Sequence, residues 1–154
     1  MLKKIKYKKL FIFSKKILLK AGLDKFSAQA VSIGLCETSL RGVESHGIRL
    51  LGHYVNSALN GRKNPKPKFS FISKFPAIST LDADNAFGHA AGFKAIDHSI
   101  LKAKKYGISL VAVKNSSHPG ALASMALKAA RKGYAAFAFT HADSLMLSHN
   151  GKRA

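Results

Sequence analysis

The apolar run ISLVAV at residues 108–113 limits the choice of fold more than any other segment of the chain. A near-continuous apolar run of this length is typical of a β-strand that is covered on both faces. After a polar junction, residues 121–132 predict an alanine-rich helix that ends at Gly133, and residues 134–140 predict a second buried strand. A strand, a helix and a second strand in this order predict a layered α/β domain.

The first part of the chain predicts helices. Asp24 is placed to cap a helix that runs from Lys25 to Leu40, and Gly42 breaks the helical pattern after it. A further helix is expected from about residue 46 to residue 59. We therefore expect an N-terminal helical region over residues 1–65 and an incomplete α/β domain over residues 66–154.

The second region predicts strands on both sides of a helix. Short strands are expected at residues 69–73 and 77–82, separated by Pro76, and a helix that starts near residue 89 is expected to end at Gly107. No helix follows the last predicted strand to cover it. The predicted sheet is therefore unfinished, and we expect either a second chain or a longer polypeptide to complete it.

The formal net charge of +19 suggests a polyanionic partner, but its distribution argues against nucleic acid. Lysines and arginines number 26 against 7 acidic residues, and the excess extends along the whole chain. Most of these residues are lysines, without the interleaved aromatic residues of a surface that stacks on bases. We interpret the charge as solvated lysine side chains, with a basic protein that binds nucleic acid or an anionic surface as the alternative.

Neither a secretory signal nor a membrane span is expected. The apolar patch LFIF at residues 10–13 is shorter than the roughly 7 to 15 apolar residues of a secretory core or the roughly 20 of a spanning helix. Cys36, the only cysteine, lies in an apolar helical pattern and excludes an internal disulfide and a cysteine-based zinc site. These features predict a cytoplasmic protein.

Two polar junctions carry the residues suited to chemistry. In the first, His46, Arg49 and His53 would share one face of the predicted helix. An arginine can hold a substrate carboxylate with two hydrogen bonds while an imidazole moves a proton to or from an adjacent oxygen, and Ser45 can add a hydrogen bond. From the residues alone, a purely structural role for His46 stays open.

The second junction, NSSHPG at residues 115–120, follows the predicted strand 108–113. Ligands commonly bind at the carboxyl ends of strands in open α/β sheets, so His118 is a candidate catalytic residue. The alternative is a loop whose polar side chains only cap the next helix. The sequence lacks a GxGxxG motif, a P-loop and a His-Glu-x-x-His motif, so an ordinary Rossmann domain, a nucleotide triphosphatase and a metal site are not expected.

Four ordered segments carry a resemblance to a known family: LRGVESHG at 40–47, LDADNAFGH at 81–89, GI at 107–108 with VAV at 111–113, and NSSH at 115–118 followed by Gly120. Together they resemble the malate/L-lactate dehydrogenase family, whose NAD(P)-binding fold is not of the Rossmann type. The resemblance implies an α/β fold with a mixed sheet, and hydride transfer between NAD(P) and C2 of a small 2-hydroxy or 2-oxo acid. It runs from about residue 20 to the end of the chain and covers only the N-terminal half of family members.

The resemblance also implies roles for individual residues. By motif, His118 would be the acid/base group, and His46 would be a second catalytic or substrate-orienting histidine. Ser45 and Arg49 would contact the substrate. The motifs leave open which of the two histidines moves the proton.

The stretch THADSLM at residues 140–146 would face the cofactor, NAD or NADP, which makes His141 and Ala142 candidate cofactor-binding residues. The stretch departs from the family pattern at Ser144, where the family commonly has proline. The family is dimeric, so the resemblance further implies a homodimer that acts on a small carboxylate. A catalytically inactive remnant of the family is the alternative.

Overall fold

Five α-helices and a three-stranded sheet make up the part of the chain that the computed structural model describes, residues 4–141 and 150–151. The helices are α1 Tyr7–Lys20, α2 Lys25–Leu40, α3 Leu51–Leu59, α4 Gly88–Tyr106 and α5 Ala123–Ala130. Two 3₁₀ turns, Glu44–His46 and Ile48–Leu50, precede α3. The strands are β1 Ser70–Phe75, β2 Ile78–Ala86 and β3 Leu110–Ser116.

The sheet is mixed, with strand order β1-β2-β3. β1 and β2 pair antiparallel, with Ile72 opposite Thr80, whereas β2 and β3 pair parallel, with Thr80 opposite Ala112. α4 forms the crossover between the two parallel strands and packs against β3. The predicted α/β class with a mixed sheet is therefore confirmed.

The main core lies among the helices, and α2 forms its centre. Leu18, Val31 and Leu35 are fully buried, and they cluster with Tyr54 and Phe87. Burial of each large apolar side chain contributes about 1.5–3 kcal/mol to folding. Because Phe87 immediately precedes α4, this core also fixes the N-terminal end of α4 against α2.

Two predicted helix ends are confirmed in atomic detail. The Asp24 carboxylate accepts a hydrogen bond from the backbone N–H of Ser27 at 2.7 Å, so it caps α2. Gly107 follows α4 with φ of +80°, a left-handed conformation that glycine adopts without strain.

The predicted helix over residues 46–59 is wrong in its first part. α3 begins only at Leu51, and Gly47 has an extended conformation that separates the two 3₁₀ turns. The Oγ of Ser39, on α2, accepts a hydrogen bond from the N–H of Ile48 at 2.9 Å. This hydrogen bond ties the backbone N–H of Ile48 to α2, and the regular α-helix begins only after it. His46, Arg49 and His53 therefore do not share one helix face.

The predicted burial of the last two strands is also wrong. β3 lies at an edge of the described sheet, and Leu110 and Val113 are 58% and 41% exposed. Residues 134–140 form no strand, and Phe137 and Phe139 are 85% and 88% exposed. Apolar composition is suited to burial, but a strand also needs a neighbour that accepts and donates its backbone hydrogen bonds.

The helix predicted between these segments is confirmed but shorter, since α5 covers Ala123–Ala130 rather than residues 121–132. Within the described ranges, no helix is both long and apolar enough to cross a membrane.

Candidate active site

His46 and His118 lie side by side, although a whole strand–helix–strand unit separates them in sequence. Their ring centroids are 5.4 Å apart and the rings are tilted by 31°. His46 ends the first 3₁₀ turn, and His118 follows β3 at the carboxyl end of that parallel strand. The fold therefore brings the two polar junctions together at the sheet edge where α/β enzymes bind ligands.

Contacts with α2 hold the segment that carries His46. Gly47 lies so close to Ser39 that a Cβ at position 47 would overlap the Ser39 hydroxyl. The same hydroxyl accepts the N–H of Ile48, so the chain is fixed on both sides of the glycine. Next to it, the Oγ of Ser45 lies 2.9 Å from Nδ1 of His46.

The start of α4 packs against the loop that carries His118. Gly88 packs directly on the backbone carbonyls of Ser117 and His118, leaving no room for a side chain. Its N–H donates a hydrogen bond to the Ser117 hydroxyl at 2.9 Å. The N–H of Gly120 donates to Nδ1 of His118 at 3.0 Å, which orients the imidazole ring.

A third histidine, His89, lies fully buried beneath this loop. Gly34 and Gly120 contact its ring so closely that a Cβ at either position would overlap it, and Tyr54 meets it edge-on at 5.2 Å. Neither ring nitrogen has a hydrogen-bond partner among the described residues. Burial, together with repulsion from charge on His118 and His46, lowers the pKa of His89 to about 3, so the ring is neutral at physiological pH.

Sequence reasoning did not single out His89. The apolar pattern of α4, with Ala90 and Phe93 on the buried side, indicates a helix that packs against the core. The position of His89 under His118 depends on contacts with glycines on α2 and on the loop after β3, which no local pattern reveals.

A cleft of about 360 Å³ opens beside His118, near the lower end of the roughly 300–1,000 Å³ typical of small-molecule sites. Burial raises the pKa of Tyr54, in its wall, to about 12, so this phenol stays neutral. The lining residues are Leu50, His53, Tyr54, Ser57, Arg62, Lys63, Phe87, Ser117 and His118.

Of the predicted site residues, His118 lines the cleft, whereas His46, Ser45 and Arg49 do not, and Ser45 and Arg49 are exposed. His53, which was not a predicted site residue, does line it. His141 is exposed after an extended segment in which Phe137 and Phe139 stack with centroids 6.4 Å apart. Ala142 lies outside the described residues. The described chain contains no group of three His, Cys, Asp or Glu residues placed to hold a metal ion.

The side chains of residues 137–141 are of types that can contact a flat, polar ring such as nicotinamide. The exposed flat rings of Phe137 and Phe139, followed by the polar side chains of Thr140 and His141, offer the stacking and hydrogen-bonding groups that a nicotinamide amide needs.

Paired imidazoles at the carboxyl end of a strand, next to a cleft of this size, are typical of an α/β domain with a small-molecule site. The sequence model of the family described as malate/L-lactate dehydrogenase matches residues 5–154. The chain belongs to this family, which confirms the resemblance carried by the four sequence segments.

Curated relatives include malate dehydrogenase from Pyrococcus abyssi, 38% identical over 142 residues, and L-sulfolactate dehydrogenase from Methanocaldococcus jannaschii, 30% identical over 136 residues. The matches cover 92% and 88% of this chain but 39% and 40% of those relatives. The solved structure of malate dehydrogenase from Pyrococcus horikoshii OT3 aligns with a TM-score of 0.81 and 35% identity, over 85% of this chain and 38% of that one. The chain thus spans about two fifths of the length of the relatives it matches.

Proposed function

We propose that this chain provides the acid/base and substrate-binding part of an NAD(P)-dependent 2-hydroxy acid dehydrogenase. The juxtaposition of His46 and His118, with centroids 5.4 Å apart beside a cleft of small-molecule size, carries the proposal. Hydride transfer to or from C2 of the substrate is the chemistry that NAD(P) supplies when bound. The chain's own residues orient the acid and move the proton on the C2 oxygen.

His118 donates a hydrogen bond to that oxygen. The N–H of Gly120 can only donate, so Nδ1 of His118 accepts it and the neutral ring carries its hydrogen on Nε2. A donor fixed in this way stabilises the negative charge that develops on the oxygen during reduction.

His46 exchanges the proton. Its Nδ1 faces the hydroxyl of Ser45, which can donate to a neutral ring and accept from a protonated one. His46 can therefore take up and release a proton without losing its hydrogen bond. Ser45 thus acts through His46, and Arg49 is proposed to hold the C1 carboxylate at the edge of the site.

The proposal also includes a location, an oligomeric state and a cofactor. The buried thiol of Cys36, which forms no disulfide, suits a reducing compartment, and this supports a cytoplasmic location. The family resemblance supports a homodimer and NAD or NADP as cofactor. His141 and Ala142 are proposed to contact that cofactor.

Oxidation of NADH and NADPH with 2-oxobutyrate, followed by absorbance, tests the proposal on the full chain. We expect His46→Gln to lower kcat by about 10²–10⁴, the usual contribution of acid/base catalysis, and His118→Asn to lower it by about 10²–10³ through loss of the oxygen contact. His98→Gln is the matched control, because His98 pairs with Ser79 on β2 and lines no part of the cleft.

Full activity in the His46→Gln variant would show that His46 does not transfer the proton. Absence of nicotinamide-dependent turnover in the unmodified chain would contradict the proposed function itself.

A further inference from the structure

His89 is a buried polar side chain that the proposed reaction does not use. Its imidazole is fully buried, and neither ring nitrogen has a hydrogen-bond partner among the described residues. Because buried polar groups are nearly always hydrogen-bonded, an imidazole in this condition is unusual. It lies directly under the loop that carries His118, so the two imidazoles belong to one packed unit.

The ring of His89 fills a narrow slot between α2 and the loop after β3. Its Cδ2 and Nε2 atoms occupy the space that a Cβ of Gly34 would need, and Nε2 and Cε1 occupy the space that a Cβ of Gly120 would need. Tyr54 meets the ring edge-on, at a centroid distance of 5.2 Å. Glycine at both positions lets the backbone of α2 and of the loop touch the imidazole directly, so the ring sets the distance between them.

The first turn of α4 holds His89 in place. Phe87, just ahead of this helix, is buried in the main core. Gly88 packs on the carbonyls of Ser117 and His118 and donates to the Ser117 hydroxyl. Because the backbone next to His89 is held in this way, its ring meets the loop at a fixed position.

Gly120 connects the buried ring to His118. Its backbone lies on the His89 ring, and its N–H donates to Nδ1 of His118 at 3.0 Å. This hydrogen bond orients the imidazole of His118 and leaves the hydrogen of the neutral ring on Nε2. A shift of the His89 ring therefore moves the donor that orients His118.

We propose that His89 is a positioning residue, whose ring supports Gly120 so that the Gly120 N–H holds His118 in one orientation and one tautomer. His89 acts by its shape, because burial, together with charge on His118 and His46, lowers its pKa to about 3 and keeps the ring neutral. The consequence for turnover rests on the proposed function, in which Nε2 of His118 contacts the C2 oxygen. The orientation of His118 itself is measurable without turnover.

NMR spectroscopy of the full chain tests the orientation directly. In the unmodified chain, we expect slow hydrogen exchange of the Gly120 N–H and nitrogen resonances of His118 that show a single Nε2–H tautomer. His89→Ala should quicken exchange at Gly120 by at least about tenfold, a loss of about 1.4 kcal/mol in local stability. It should also move the Nδ1 resonance of His118 towards that of a mixture of tautomers.

His98→Ala is the matched control. It removes an imidazole from the same helix, where His98 pairs with Ser79 on β2, and should leave the NMR signals of the loop unchanged. The amide of Val31, in the core part of α2, is the internal reference. Equal quickening at Val31 and Gly120 in His89→Ala would reflect a loss of overall stability and would overturn the proposal, as would unchanged exchange at Gly120.

Gly34→Ala tests the same contact while the imidazole is kept. The added methyl group would overlap the His89 ring from the side of α2 and push it towards Gly120, so exchange of the Gly120 N–H should again quicken. Gly92→Ala is its control, because it adds a methyl group against Met125 of α5 instead and should leave Gly120 unchanged. If His89→Ala does not fold, this pair decides: unchanged exchange at Gly120 in Gly34→Ala overturns the proposal.

Turnover gives the functional measurement. With 2-oxobutyrate, His89→Ala should lower kcat by about ten- to a hundredfold and change KM by less than about twofold, because the oxygen contact is misplaced while the cleft is kept. In a His118→Asn background, the same substitution should lower kcat no further. An additive loss in the double variant overturns the positioning role. The expected NMR changes in a chain without turnover support the positioning of His118 and contradict only the proposed function.

Discussion

At the scale of single residues, His89 couples the stability of the fold to pH. Its pKa is about 3 in the folded chain and about 6.5 in an unfolded one. As pH falls from about 6.5 towards 3, the unfolded chain binds a proton that the folded chain does not. The free energy of unfolding should therefore fall by up to about 1.4 kcal/mol per pH unit from this residue.

Urea unfolding at pH 7 and pH 5 measures this effect. The variant His89→Leu, which fills the site without a titrating group, should lose that share of the pH dependence whatever its stability at pH 7. An unchanged difference between the two pH values in His89→Leu would show that His89 is not the group responsible.

The two catalytic candidates could be found from the sequence because each lies in a short motif of polar and glycine residues. The need for glycine at positions 47 and 88 could not be predicted from the sequence. A side chain there would overlap an atom from a distant part of the chain, the Ser39 hydroxyl at position 47 and the His118 carbonyl at position 88. Arg62 lines the cleft but was not predicted as a site residue, because an arginine after a helix is usually a solvated side chain.

At the scale of elements, ion pairs connect α2 to α5. Glu37 on α2 accepts from Arg131 at 2.8 Å, and Arg41 lies 3.5 Å from the same carboxylate while donating to the Ser124 hydroxyl at 2.9 Å. Glu37→Gln should lower the free energy of unfolding by about 1 kcal/mol, the upper end for partly exposed pairs. Amide hydrogen exchange should quicken more in α5 than in α4, whose N-terminal end the core holds.

Glu44→Gln serves as the control for Glu37→Gln. It removes the same charge at an exposed position with no ion pair among the described residues, so its effect should stay within about 0.5 kcal/mol. Equal effects of the two substitutions would assign the loss to net charge rather than to the link between the helices.

Element types were predictable where periodicity decided them. α2, α4 and β3 were all placed within a few residues, because their apolar spacing is distinct and their ends carry Asp24 or glycine. The extended segment 134–140 was not, since its apolar composition matches a strand but the described chain offers it no pairing edge. The division of the chain at residue 65 stays a prediction.

At the scale of the whole molecule, apolar side chains on and after the edge strand remain open to solvent. Exposed apolar patches of this kind are rare on stable monomers and mark contact surfaces. We expect the isolated chain to self-associate with rising concentration. Phe137→Ser with Phe139→Ser should weaken that association in sedimentation velocity, whereas Phe13→Ser, at an exposed position on α1, should not. A monomer at all concentrations, or equal weakening by Phe13→Ser, would contradict the assignment.

The glycines around His89 and His118 limit which substitutions this site tolerates. Gly34, Gly88 and Gly120 lie on α2, on α4 and on the loop after β3, and each leaves space for a histidine or its backbone. A single added methyl group at any of these positions would displace the same small region. Distant stretches of the sequence are therefore constrained together. A side chain at position 34 would require a change of the His89 imidazole, whereas one at position 88 would require the backbone of residues 117 and 118 to move.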